Sequence, residues 1–296
     1  MSALSMRTRN TTMAEISEPD RAAQRASTHA LIVPREHGAW GLLLVPLFTG
    51  LAAGFSSTHR VWLLLVFTIV ALSLFWLRTP VESLVGTGSM TAHTWRERRI
   101  AIVASVFLVL VSAVCLTNLM WKGRDLELLL LGAAAAFAFV IQGIVRKLGR
   151  MARMPAQLIG AIGLTCTAPA AYYIGTGRLS ERAFVLWAAN WIFAGNQIHF
   201  VQLRIHAARA ATFPEKFARG RIFFLVQPVL LAALAFASFW RVIPPLVVIA
   251  FIPALVRGTL WFFRKPESLD IKSVGWSEMK HGVVFGILLA AAFIYS

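Results

Sequence analysis

Arg35, Glu36 and His37 stand directly before an apolar run in the stretch LIVPREHGAWGLLLVPLFTG, residues 31–50. A guanidinium, a carboxylate and an imidazole at such a boundary can neutralise an anion, accept a proton and shuttle one. They can equally be a solvated helix start. Related groups recur along the chain: Glu82 in RTPVESLVGTG, Arg146 and Lys147 in FVIQGIVRKLGR, and Glu278, Lys280 and His281 in GWSEMKHGVVFG. NWIFAGNQIHFVQLRIHAAR adds Asn190, Asn196, Gln197, His199, Gln202 and Arg204. Glu278 and His281 are three apart, and so are Asn196, His199 and Gln202, a spacing that sets neighbours on one side of a helix. Neutral imidazoles beside a carboxylate suit Zn²⁺ or Fe²⁺. Neither HxxxH nor HxxE occurs, however, and no residue is assigned as a metal ligand.

These residues need elements to hold them, and the composition says which. Of 296 residues, 58% are hydrophobic and 14% charged, an apolar content beyond that of a soluble core and typical of a polytopic membrane protein. A helix crosses ~30 Å of hydrocarbon with about 20 residues. On that measure nine segments are expected, near 37–55, 61–78, 100–121, 125–145, 156–176, 183–204, 222–240, 242–263 and 276–295. Residues 1–30, polar and without an apolar core of the signal-peptide kind, read as a disordered cytosolic tail ahead of a single transmembrane domain, 31–296. The fold class is all-α. Cys115 and Cys166 lie inside apolar runs without paired spacing and read as small buried residues.

Charge fixes the expected orientation. The odd-numbered connections hold six cations, Arg60, Lys122, Arg124, Arg178, Arg182 and Arg241, leaving 23 of the 29 Lys and Arg for the tail and the even-numbered side. The positive-inside rule then places the N-terminus in the cytosol. Basic loops facing anionic headgroups also account for the net charge of +16, so no nucleic-acid partner is implied. With this topology His37, His199 and His281 sit near the cytosolic ends of the first, sixth and ninth segments. Polar groups at that depth are costly unless paired or hydrated, which points to a shared polar cavity. Glu36 and His37 would face it, His37 near His199 or His281.

Two resemblances bear on what such a cavity does. VPREHGAWGLLLVP, LTCTAPAAYYIGTG, NWIFAGNQIHFVQLRI and VGWSEMKHGVVF together resemble the YwiC-like family of bacterial membrane proteins, over roughly residues 31–296. That likeness implies a multi-pass protein of the bacterial cytoplasmic (inner) membrane and names no reaction. The layout also resembles the UbiA superfamily of intramembrane prenyltransferases, which have nine helices with aspartate-rich motifs at the cytosolic ends of the second and sixth. The basic junction VRKLGRMARMPAQLIGAIGLTCTAPAAYYIGTG is similar to theirs between the fourth and fifth. Here LRTPVESLVG and NQIHFVQLRIHAAR stand at the motif positions without an aspartate, so the magnesium that such enzymes use has no carboxylate cluster to hold it.

Two functions of different class follow as expectations. One is a divergent UbiA-like prenyl or lipid transferase acting on an isoprenoid or lipid-like substrate. Arg35, Arg146, Lys147 and Arg204 would bind its anionic head, with Asn196, Gln197, His199, Gln202 and His281 beside them, and Glu36, His37, Glu82 or Glu278 would serve as catalytic acid or base. The other is a non-catalytic protein that binds a lipid, quinone or haem or assists assembly. Because the polar groups gather at one face and the outer halves of the segments are nearly free of charge, a transport path is disfavoured.

Overall fold

The computed structural model describes Leu31 and residues 37–55, 61–86, 91–121, 126–149, 152–210, 212–264 and 270–295. The regular structure among them is helical: α1 His37–Phe55, α2 Val61–Val85, α3 Trp95–Trp121, α4 Leu126–Lys147, α5 Arg153–Thr165, α6 Thr167–Thr176, α7 Glu181–His206, α8 Phe213–Phe239, α9 Pro245–Leu260 and α10 Ile271–Ile294. A 3-10 turn, Trp261–Phe263, continues α9. Each of the nine expected segments is present, the fifth as two helices. Its break at Cys166 has a local cause. Pro169, in the first turn of α6, has no N–H to offer the carbonyl of Thr165.

Four helices run beyond the apolar stretches that announce them, and capping explains the three early starts. At α8, Thr212 and Glu215 form a reciprocal capping box. At α10, Asp270 accepts from the backbone N–H of Lys272 and Ser273 at 3.0 and 3.2 Å. Polar first turns held this way extend a helix past the hydrocarbon boundary, which hydrophobicity alone does not register. At α3, Thr94 and Glu97 likewise bond each other's backbone N–H, at 3.2 and 3.0 Å. Glu82, expected just past the second segment, lies within the last turn of α2.

Eight helical segments among the described residues are long and apolar enough to cross a membrane, Arg153–Thr176 counting as one. By length and hydropathy the protein is a multi-pass membrane protein. α7 is not among the eight, although it has 26 residues. Its interior carries the asparagines and glutamines described below. Elsewhere large apolar side chains face outward, among them Val106, Phe107 and Leu110 of α3 and Ile222, Leu225 and Val229 of α8, as lipid contact requires.

Contacts divide the chain into two units, one containing Trp76–Leu108 and the other Glu36–Phe75 with Val109 onward. Within the first, Arg78 pairs with Glu82 one turn on at 2.9 Å, and the Ala92 N–H donates to the Ser83 carbonyl at 3.1 Å. Within the second, α1 packs against α6 and α10, α9 against α8 and α10, and α7 against α5 and α6. The α1–α6 contact is a seam of small residues. A methyl on Gly54 would lie 3.0 Å from the Ala171 carbonyl oxygen, and one on Gly50 would overlap the backbone of Ala168. Such approach lets two helices gain dispersion contacts in lipid, where burial itself adds no driving force between them. Gly50→Val should therefore cost about 1–3 kcal/mol or more and lower the Tm of the detergent-solubilised protein by ~5 °C. Gly132→Val, on α4 where nothing lies within 4 Å of the added carbon, should leave it nearly unchanged.

Candidate functional site

The polar centre of the second unit is built on α7. Asn190, Asn196 and Gln197 are buried together with Phe193, Phe200 and Leu203, a set at three- and four-residue spacing that makes one helix face. Asn190 donates to Thr49 Oγ1 of α1 at 3.0 Å and to the Leu186 carbonyl at 2.9 Å. Thr49 passes its own proton to the Pro46 carbonyl at 3.0 Å. One turn and a half further, Gln227 of α8 donates to Asn196 Oδ1 at 3.0 Å and to the Phe223 carbonyl at 3.1 Å. Gln197 reaches across to α10, where the Glu278 carbonyl accepts its N–H at 3.1 Å.

Arg257 of α9 completes this layer. Its Nη1 donates to Glu278 Oε1, and its guanidinium carbon lies 4.3 Å from the centre of the Phe200 ring. Both partners are deep, with 9% of Arg257 and 7% of Glu278 exposed. Arg257 lies about 9 Å, at 1.5 Å per residue, from the end of the α9 segment at Phe263, and Glu278 stands just past the polar first turns of α10. His281, one turn past Glu278, has Nδ1 2.8 Å from the Ser277 carbonyl. Nδ1 also lies 3.5 Å from Arg257 Nη1, so the ring stands between an acceptor, the Ser277 carbonyl, and a donor, the guanidinium. Arg204, half-buried at the end of α7, has its charge in reach of both Arg257 and Glu278.

Two aromatic groups enclose the layer. On one side Phe193 stacks on Phe285 with centroids 3.7 Å apart, and Phe251 meets Phe285 edge-on at 5.1 Å. On the other, Phe200, Phe223, Trp261 and Phe262 pack together. Lys216 of α8 locks the second group, its Nζ donating to the carbonyls of Trp261 at 3.3 Å and Arg264 at 2.7 Å. These are last-turn carbonyls of the α9 segment, so the ammonium also meets the negative end of the helix dipole. Gly220 bends α8 there, at φ −122° and ψ 16°.

Polar atoms remain over in the layer. Asn196 Nδ2, Gln227 Oε1, Arg257 Nε and Nη2, and Glu278 Oε2 are buried and have no hydrogen-bond partner among the described residues. Exchanging the amide oxygen and nitrogen of Asn196 and Gln227 would still leave one donor and one acceptor over. Each such group costs about 1–3 kcal/mol if it stays unpaired, so the layer is built to meet further donors and acceptors.

The residues singled out in the sequence are distributed as follows. Asn196, Gln197, Arg204, Glu278 and His281 come together on α7 and α10. Asn196, His199 and Gln202 do not form one inward stripe, because six residues turn a helix by about 120°. His199 instead stands edge-on to Phe223 at 5.0 Å, and Gln202 bonds Gln157 of α5 at 3.0 Å. Arg146 and Lys147 are exposed in the last turn of α4, which packs on α5 and α6. Glu82 belongs to the first unit, paired with Arg78. Arg35 and Glu36, expected to stand at the cavity, lie outside the described residues, as does the His37 side chain. Among the described residues no three His, Cys, Asp or Glu side chains are grouped to hold a metal ion.

Arg257, Gln227 and Lys216 were missed. For Arg257 the signal was available: a lone cation inside the apolar run PPLVVIAFIPALVRGTLWFF marks a functional or paired position in a membrane segment. It had been grouped with the basic side of the membrane.

The fold and this layer define a multi-pass α-helical membrane protein with a buried ionic centre. Residues 33–172 match the family model described as YwiC-like protein; over that stretch, a little under half of the chain, it is similar to the YwiC-like family. No curated protein matches the chain. The matched stretch ends within α6, so the ionic layer on α7–α10 lies beyond it.

Removing one partner from a buried pair leaves an uncompensated charge, whereas removing both leaves a packing problem only. Arg257→Met or Glu278→Leu alone should destabilise by about 3–5 kcal/mol, and the double variant by much less than their sum. Denaturant titration of the solubilised protein measures the coupling; additive losses would show that the two side chains act independently.

Proposed function

We propose that the chain crosses the membrane nine times, with α7 as the sixth span, and that its ionic layer binds the polar head of an isoprenoid- or lipid-like amphiphile. Residues 31–296 then form one transmembrane domain of the YwiC-like kind behind a cytosolic tail, 1–30. The observation that carries this reading is the set of buried, unpartnered donors and acceptors on four helices at one level. Donors and acceptors alternate there, which suits a head group that offers both. Apolar clusters on either side suit a ligand arriving from the bilayer with a hydrocarbon tail. The α7 asparagines and glutamines, too polar for lipid contact, are satisfied only if this helix is enclosed by the others.

The orientation rests on the six cations of the odd-numbered connections against the rest. It places the ends of α7 and α9 and the starts of α8 and α10 at the cytosolic face. A single cysteine introduced in the tail and another placed after Ser296 should react with a membrane-impermeant maleimide from opposite sides of the membrane. Labelling of both from one side would remove the nine-span topology.

Transfer chemistry of the UbiA-like type, without aspartate-held magnesium, is the second reading. One observation favours it: Glu278 Oε2 is unpartnered among the described residues, and His281 stands one turn on along the same helix, so a carboxylate oxygen and an ionisable imidazole are neighbours.

Lipid binding is tested by replacing Asn196 and Gln227 with leucine, which removes the amide pair and fills similar volume. Mass spectrometry of lipid co-extracted with the wild-type protein should show an amphiphile that the double variant lacks, while the variant stays as stable or gains ~1 kcal/mol. The same lipid profile in both proteins would reduce the layer to a packing device.

A further inference from the structure

Arg257 presents two different edges. Nη1 is committed to Glu278, while Nε and Nη2 are both buried and unpartnered among the described residues. The N–H bonds of Nε and Nη2 run parallel along one side of the planar guanidinium, the geometry that meets two oxygens of a carboxylate or phosphate at once. The guanidinium carbon sits over the Phe200 ring, 4.3 Å from its centre, and Glu278 holds Nη1, so the group is fixed with its Nε and Nη2 edge unpartnered among the described residues.

Charge limits what this edge can take. Arg257 is balanced by Glu278. Lys216 is balanced in part by the last carbonyls of the α9 segment that it binds at 3.3 and 2.7 Å. Arg204 makes no hydrogen bond or ion pair among the described residues, yet its charge acts on both members of the pair. Arg257 and Glu278 thus cancel, Lys216 is met by carbonyls, and half-buried Arg204 adds one positive charge at the rim of the layer. A diphosphate, with up to three negative charges, would leave about two uncompensated in a low-dielectric region.

We infer that the head group is a singly charged oxyanion, a carboxylate or a phosphodiester, gripped by the Nε and Nη2 edge of Arg257 with Arg204 supplying the balancing charge. This rests on the amphiphile-binding reading above and narrows it. Glu278 Oε2 and Gln227 Oε1 stay available to accept from hydroxyl groups next to the oxyanion.

The test uses the full chain in detergent micelles, with Arg257→Lys and Glu278→Gln beside the wild type. Lysine keeps the charge that pairs with Glu278 but loses the fork; glutamine keeps the fork and removes the one buried carboxylate of the layer among the described residues. Probes are oleate, dioleoyl phosphatidylglycerol, farnesol and farnesyl diphosphate, with binding read by native mass spectrometry. Oleate or phosphatidylglycerol should bind the wild type, about tenfold more weakly to Arg257→Lys and at least as tightly to Glu278→Gln. Which of the two binds identifies carboxylate or phosphodiester as the source. Equal binding to wild type and Arg257→Lys, or tighter binding of farnesyl diphosphate than of either single anion, overturns the inference. Farnesol bound while both single anions fail also overturns it and leaves the broader reading standing. If none of the four binds, both fall.

Discussion

The constraint on which the rest depends is an ion pair kept away from water. Arg257 and Glu278 come from two helices, α9 and α10, and meet within a layer bounded by phenylalanines. Desolvating either charge costs several kcal/mol, so the arrangement persists only where geometry and extra hydrogen bonds recover that loss. The surrounding residues supply both. Phe200 places its ring 4.3 Å from the guanidinium carbon, Gln197 fixes the Glu278 backbone, and Lys216 ties the start of α8 to the end of the α9 segment, about two turns from Arg257. Gly258, next to Arg257, lets Phe223 and Gln227 come close, since a methyl there would lie 3.0 Å from the Phe223 ring and 3.2 Å from Gln227 Oε1.

The opposite end of the second unit is held by different means. There α1 and α6 touch through glycine and alanine, and Tyr173 donates to Glu127 at 2.8 Å. A small-residue seam gives close, rigid packing with no charge to desolvate. Asn190 and Thr49 link the two regions, because Asn190 belongs to the helix that carries Asn196 and Thr49 sits one residue before Gly50 on the seam. The polar layer is thus mounted on α7 and α10, both of which pack against α1, and its position is fixed by contacts that carry no ionic cost.

How much of this could be read in the sequence follows from what each signal measures. Apolar length measures hydrocarbon thickness, and the first segment, 37–55, has the same bounds as α1. Helix starts came early because caps such as Asp270 act outside the apolar run. Glu278 and His281 were legible because ionisable groups in a membrane segment are costly. Arg257 is the same kind of signal, lost among 29 cations when only connections were compared. Gln227 was not legible: a single amide one residue before Pro228 in α8 has no local pattern, and only the packing of α8 on α7 brings it to Asn196. The spacing of Asn196, His199 and Gln202 did not give one inward stripe, because spacing within a helix says which side chains are neighbours and not which of them face the core.

Packing by itself leaves five polar atoms of the layer without partners among the described residues. Five polar atoms left without a partner, at about 1–3 kcal/mol each, would sum to ~5–15 kcal/mol, the size of an entire protein's stability. The side chains that carry them are 2–9% exposed, so bulk water at the surface does not relieve them. Whatever meets these atoms must enter the layer and present acceptors to Arg257 and Asn196 and donors to Glu278 and Gln227. Water molecules can do so one at a time. The anionic head proposed above would do so at once while bringing negative charge toward Arg204 at the rim of the layer, so the proposal rests on charge as much as on the count of unpaired atoms.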